Sequence, residues 1–196
     1  MKKTVWVIDD DDSIRWVLDK ALGQAGIPIK AFDSADEAMH LFPNELPLTV
    51  LSDIRMPGSS GLDFLQKIQA EFPQIPVIIM TAHSDLDSAV NSFELGAYEY
   101  LAKPFDIDEV VNVVQRAISS RSESDPEITN QITPSSEILG SAPAMQEVFK
   151  AIGRLSSSSF TVLINGESGS GKELVARALH THGPRKNEVF VALNVA

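Results

Sequence analysis

Cysteine is absent from the 196 residues, which excludes disulfides and thiolate metal sites. Long apolar runs are missing too: no window reaches the roughly 18 consecutive apolar residues that a membrane span needs. Met1-Lys2-Lys3-Thr4 runs directly into a strand-like stretch and a tetra-Asp, which is not the pattern of a signal peptide. A cytoplasmic protein with no membrane partner is expected. Basic residues are the scarce charge, 16 Lys+Arg against 27 Asp+Glu, for a net charge of −11. The deficit is local: residues 1–120 hold 9 Lys+Arg and 19 Asp+Glu, whereas residues 121–196 are nearly balanced at 7 and 8. Duplex binding rests on neutralising phosphates with Lys and Arg. DNA contact is therefore expected only from a segment outside these residues.

What is present is an alternation. Residues 4–118 read as five strand–helix repeats. Strand-like runs lie at 4–8, 27–32, 48–52, 76–80 and 98–101. Between them, apolar residues recur at helical spacing, as in Ile14, Val17, Leu18, Ala21 and Leu22. Asp12, Ser34 and Asp106 are placed to cap helices. Val77-Ile78-Ile79-Met80 is uniformly apolar, as in a strand covered on both faces. Alternating βα units predict a parallel sheet with helices on both sides. Five units in this length fit the flavodoxin-like, doubly wound order 2-1-3-4-5.

Residues 119–137 are polar, hold two prolines and lack periodic apolar positions, so they read as a linker. A second module starts at 138. It offers a helix over 144–155, strands over 160–164 and 189–193, and a Gly-rich loop over 166–171 leading into a helix over 172–182. Its one and a half βα units are too few to enclose a core.

The chemistry gathers at strand ends. Asp53 closes Thr49-Val50-Leu51-Ser52 and precedes Ile54-Arg55-Met56-Pro57-Gly58. Asp9-Asp10-Asp11-Asp12 closes the first strand, Thr81 the fourth, and Lys103-Pro104 follows the fifth. Open α/β sheets bind ligands at the carboxyl ends of their strands. In the expected order the tetra-Asp and Asp53 meet at the switch point. Adjacent carboxylates disfavour each other's ionised form, and a Mg²⁺ ion relieves this, since it takes carboxylate oxygens and phosphate oxygens. Asp10 and Asp53 are the expected ligands, with Asp9 close behind; the pattern does not decide Asp11. Carboxylates form acyl phosphates in phosphoryl transfer, with a cation offsetting the charge on the transferring group. Asp53 is thus the expected acceptor, Lys103 the cation, and Thr81 a hydroxyl donor to a phosphoryl oxygen. Singly, Thr81 reads equally well as a strand-end cap and Lys103 as a surface cation.

Val7-Ile8-Asp9-Asp10-Asp11, Ser52-Asp53-Ile54-Arg55-Met56-Pro57-Gly58, Ile79-Met80-Thr81-Ala82 and Lys103-Pro104-Phe105 together resemble the receiver domain of two-component response regulators. The resemblance implies that Asp53 takes a phosphoryl group from a sensor kinase histidine. It also implies Mg²⁺ held by Asp10, Asp53 and the Arg55 backbone carbonyl. It makes Thr81 and Tyr100 a switch pair, although Tyr100 also reads as a half-buried strand aromatic.

Gly166-Glu167-Ser168-Gly169-Ser170-Gly171-Lys172 satisfies G-x-x-x-x-G-K between a strand and a helix. Its backbone N–H groups would cradle phosphates and Lys172 would reach the terminal ones. Glu173 stands where a Mg²⁺-binding Ser or Thr is usual. The stretch 163–173 resembles the nucleotide loop of sigma-54-dependent activators, AAA+ ATPases in which Glu follows the Lys, and Ile138-Leu139-Gly140 with Met145-Gln146-Glu147-Val148 resembles the start of that domain. The resemblance implies ATP, sigma-54 RNA polymerase, enhancer DNA and oligomerisation on phosphorylation in the family, here of the nitrogen-regulating kind. The acidic strand motif, arginine finger and helix-turn-helix such activators need are not among these residues. No ATP hydrolysis or operator binding is expected of them. Helix four, expected from about Asp85 to Leu95 and carrying Ala89, Val90 and Phe93, is expected either to signal or merely to pack. Two other classes fit less well. An Asp-nucleophile phosphatase needs an acid where Arg55 stands. A free-standing P-loop enzyme needs a Walker B acid, and only Glu188 follows the loop.

Overall fold

The computed structural model describes residues 4–82, 86–120 and 143–193. The described residues of Met1–His83 and Leu95–Glu127 form one compact unit, and those of Ser84–Glu94 and Ile128–Ala196 form another. The expected linker from residue 121 on, the start of helix four at Asp85, and Ile138-Leu139-Gly140 lie outside the described residues.

The first unit holds a five-stranded parallel sheet ordered β2-β1-β3-β4-β5, the flavodoxin-like arrangement. The strands are β1 (Val5–Ile8), β2 (Ile29–Phe32), β3 (Val50–Asp53), β4 (Val77–Thr81) and β5 (Glu99–Ala102). The helices of this unit are α1 (Asp12–Gln24), α2 (Ala35–Leu41), α3 (Gly61–Glu71) and α5 (Ile107–Ser120); α4 (Leu86–Glu94) belongs to the other unit. All of β3 and β4 is buried, the burial expected of central parallel strands.

Side chains alternate across the sheet, and the two faces fill differently. Val5 and Val7 point into an aliphatic core with Leu51, Ile78, Met80 and Leu101, roofed by Leu18 and Leu22 of α1 and Val110, Val113 and Val114 of α5. Trp6 points the other way, into an aromatic cluster. Its ring centre lies 4.9 Å from Phe32 and 4.7 Å from Phe42, which in turn sits 5.1 Å from Phe72 and 6.3 Å from Phe64.

Helix ends follow local chemistry with two departures. Ser34 caps α2, its Oγ accepting from the Glu37 amide, and Ser60 and Asp63 form a reciprocal capping box on α3. At α1 the cap is Asp11, which accepts from the Ser13 amide, and not Asp12, which falls in the first helical turn. At the far end α5 continues through Ser119 and Ser120, two residues expected in the linker; both hydroxyls bond carbonyls of the preceding turn.

In the second unit α4 packs against α6 (Pro143–Leu155), with the Arg154 guanidinium 5.7 Å from the Phe93 ring centre. Ala89 and Val90 are buried, so those two residues pack. α7 (Lys172–Thr181) follows the Gly-rich loop. Residues 160–164 and 189–193 are not strands: Phe160 is 76%, Leu163 83% and Val189 85% exposed. Aliphatic and β-branched content expresses a fit to a pleated, half-buried surface. The described residues of this unit provide no neighbouring strand to offer one.

Candidate phosphoacceptor site

Register brings the site together. Ile8 pairs with Ser52, and Asp53 pairs with Met80. Asp9 and Asp53 therefore leave adjacent strands side by side. Thr81 pairs with Ala102, and the Lys103 amide donates to the Thr81 carbonyl at 2.7 Å. Asp9 is fully buried, Thr81 is 2% exposed and Asp53 6% exposed. The Lys103–Pro104 peptide is cis.

Lys103 Nζ reaches both acids, donating to Asp53 Oδ1 at 2.6 Å and to Asp9 Oδ2 at 2.7 Å. Burial alone would lower the lysine's proton affinity, but the bonds to Asp53 and Asp9 outweigh it and hold its pKa above the ordinary 10.5. The ammonium thus stays charged at neutral pH. Burial pushes the Asp9 carboxyl above its usual range, more than Lys103 and the Asp11 amide pull it back. Two carboxylates sharing one ammonium leave a net negative charge in a largely closed site. That suits a further cation, and the donors are all oxygens, which favours a hard one such as Mg²⁺.

The loop after β3 is drawn back onto Asp53. The Arg55 amide donates to Asp53 Oδ2 at 2.7 Å, and the Gly61 amide to the Ile54 carbonyl at 2.9 Å. Gly61 lies so close that an added Cβ would stand 1.9 Å from the Asp53 carbonyl oxygen. Only a residue without a side chain permits that approach.

Asp9, Asp53, Thr81 and Lys103 therefore stand at neighbouring strand ends. Asp10 is exposed, as are Asp11 and Asp12. Among the described residues no three acidic or histidine side chains gather as a ready cage. Asp11 is engaged as the α1 cap, which lowers its pKa through the Ser13 bonds. Tyr100 is fully buried on β5, paired with Ile79, rather than half-buried. The sequence reading missed Arg15, whose guanidinium bonds the Asp9 carbonyl and the Asp12 carboxylate and so fastens the acidic loop to α1. The three-residue spacing from Asp12 on a helix was the available signal.

In the Gly-rich loop, Gly169 and Gly171 adopt φ of 79° and 84°. Ser170 N–H donates to the Glu167 carbonyl at 3.2 Å. Lys172 Nζ folds back onto the carbonyls of Gly166, at 3.0 Å, and Glu167, at 2.6 Å. Ser168 is exposed in the same loop. Glu173 points along α7, accepting from Arg177 Nη2 at 2.8 Å. It is engaged in a surface pair and not turned to the loop.

A buried acid at the β3 end, bridged by a lysine to a second acid at the rim of a five-stranded parallel βα sheet, is the arrangement of the receiver class. The chain belongs to the response regulator receiver family, whose profile matches residues 5–115; that of a sigma-54 interaction domain matches residues 138–196. It is 55% identical to the DNA-binding transcriptional regulator NtrC of Escherichia coli (strain K12), over 98% of this chain and 41% of that protein. It is 40% identical to NtrC of Azospirillum brasilense, over 98% of this chain and 40% of the relative. The chain thus spans about two fifths of the length of these relatives. The solution structure of the apo NtrC receiver domain superposes with a TM-score of 0.56 at 53% identity, covering 62% of this chain and 98% of the other. NtrX from Brucella abortus in complex with ATP gives 0.58 at 30% identity, covering 99% of this chain and 43% of the other. The chain is therefore an NtrC-like response regulator, a receiver followed by part of a sigma-54 interaction domain. As families, receiver domains use Mg²⁺ and sigma-54 interaction domains bind ATP. No helix among the described residues is long and apolar enough to cross a membrane.

Proposed function

We propose that Asp53 is the phosphoacceptor for a phosphohistidine of a sensor histidine kinase. The observation that carries this is the Lys103 ammonium bridging Asp53 Oδ1 and Asp9 Oδ2. A carboxylate oxygen of Asp53 attacks phosphorus, the P–O bond forms as the P–N bond breaks with its electron pair leaving on the imidazole nitrogen, and that nitrogen takes a proton from solvent. Lys103 holds a fixed positive charge beside the oxygens that gain charge. The Thr81 hydroxyl moves to donate to one phosphoryl oxygen, and Tyr100 on the adjacent strand reorients in response. Asp9, Asp10, Asp53 and the Arg55 carbonyl are the oxygen set for Mg²⁺. When bound, Mg²⁺ offsets the negative charge on the transferring group.

The receiver spans 1–120, where α5 ends, a linker 121–137, and a sigma-54 interaction fragment 138–196. The intact protein works in the cytoplasm. It binds ATP over Gly166–Lys172 with Glu173 following, assembles on phosphorylation, and acts on sigma-54 RNA polymerase and enhancer DNA through regions beyond this fragment. The chain itself is not an ATPase; the only chemistry assigned to it is its own phosphotransfer.

The test is incubation with Mg²⁺ and acetyl phosphate, followed by intact mass. One phosphoryl group on the chain and none on Asp53→Asn is the expected result. An unmodified chain, or an Asp53→Asn variant labelled to the same extent, would sink the proposal.

A further inference from the structure

One of the proposed metal oxygens, the Arg55 carbonyl, belongs to the backbone. No side-chain substitution at Arg55 tunes a backbone ligand; only what holds its loop can. That loop, 54–60, is fastened at its ends by the Arg55 amide on Asp53 Oδ2 and the Gly61 amide on the Ile54 carbonyl. Its middle is held from another element altogether. Asp36, in the first turn of α2, accepts from Ser59 Oγ at 2.7 Å through Oδ1 and from the Ser59 amide at 3.4 Å through Oδ2. The brace spans 23 residues of sequence.

The loop is shaped for this contact. Gly58 has φ of +84°, and a Cβ on it would stand 2.6 Å from Asp36 Oδ2. Glycine thus serves both the left-handed turn and the closeness of the carboxylate. Ser34, not Asp36, supplies the α2 cap, so helix capping does not account for Asp36. The Ser59 bonds also hold the Asp36 carboxyl below the usual carboxylate range, keeping it ionised and able to accept both donors.

We infer that Asp36 is a positioning residue for the phosphorylation site: through Ser59 it sets the β3–α3 loop, and with it the Arg55 carbonyl offered to Mg²⁺ and the Arg55 amide offered to Asp53. The inference rests on the proposed role of Asp53. Partners that orient a metal's ligands from outside typically change affinity by about 10- to 100-fold.

The experiment uses this chain, with Mg²⁺ titrated while the Arg55 and Asp53 backbone amide resonances are followed, and urea unfolding run in parallel. Asp36→Ala should weaken Mg²⁺ binding on the order of tenfold and shift the Arg55 amide resonance before any metal is added. Ser59→Ala should do the same to a smaller extent, because its amide bond to Asp36 survives; it also replaces Asp36→Ala should that variant fail to fold. Ser34→Ala loosens the same end of α2 and should leave Mg²⁺ affinity unchanged. Wild-type affinity in both Asp36→Ala and Ser59→Ala overturns the inference, as does equal weakening in Ser34→Ala. A wild-type chain whose Mg²⁺ uptake is indifferent to Asp53→Asn overturns it together with the proposed function.

Discussion

Replacing Lys103 by Met removes the cation that bonds both Asp9 and Asp53 while keeping most of its aliphatic volume. The lysine side chain is 15% exposed, and those of Asp9 and Asp53 are 0% and 8% exposed. This is a buried cluster and not a surface pair, so the small values measured for exposed ion pairs do not apply. Removing one partner of a buried pair typically costs about 3–5 kcal/mol, because the charge left behind is uncompensated. Asp9, whose carboxyl is already pushed up by burial, can bind a proton instead. That escape favours the lower end, about 3 kcal/mol at pH 7. With a urea slope of about 2 kcal/mol/M, the unfolding midpoint should fall by about 1.5 M. Asp53→Asn should not reproduce the loss, since Lys103 keeps Asp9. The double variant should recover part of it, since only one carboxylate then lacks a cation. The penalty should also fade on acidification, as protonation of Asp9 in both folded and unfolded chains removes its share. Urea unfolding of the three variants at pH 7 and of Lys103→Met across the acid range is the assay. A Lys103→Met stability within about 0.5 kcal/mol of wild type, or an Asp53→Asn loss of equal size, would refute the reasoning.

At alkaline pH the same lysine gives a signature of opposite sense. Its folded pKa lies above 10.5, so its contribution is complete below pH 10.5 and drains as the pH climbs through the folded value; wild type should lose this component there and Lys103→Met should not. Phe42 joins Trp6, Phe72 and Phe64 in one aromatic cluster, and Phe42→Ala should cost about 3–5 kcal/mol by urea unfolding, with Asp53 still phosphorylated in the molecules that remain folded. Gly61→Ala must push backbone away from the Asp53 carbonyl. It should cost about 1–3 kcal/mol and slow phosphorylation by acetyl phosphate; a wild-type rate would show that the loop absorbs the methyl group without moving the acceptor.

The sheet and its order were legible because burial on two faces forces a recognisable composition. Val77 to Met80 had no polar residue to place, and the helices between strands repeated at their own period. Asp53, Thr81 and Lys103 were legible for a related reason: a polar residue ending an apolar run stands at the rim of such a sheet. The capping of α1 was not. Asp11 and Asp12 are chemically alike, and which one caps depends on where the backbone turns. The 160–164 and 189–193 segments misled because their composition expresses a preference that only a neighbouring strand fulfils. Asp36 gave no signal either, since its partner Ser59 is 23 residues away and neither residue type is unusual in a helix start or a loop.

The amino-acid sequence by itself determined the class of fold and the placement of Asp9, Asp53, Thr81 and Lys103 at strand ends. These follow from local periodicity and from which residues tolerate burial. The tertiary structure decided which groups share a charge. Lys103 and Asp9 are separated by 94 residues yet bond at 2.7 Å, because parallel pairing in the order β1-β3-β4-β5 carries their strand ends to one rim. It also decided that Asp9 rather than Asp10 faces the lysine, since adjacent residues at a strand end point to different sides. That choice fixes where the buried negative charge lies, and so what the site can attract.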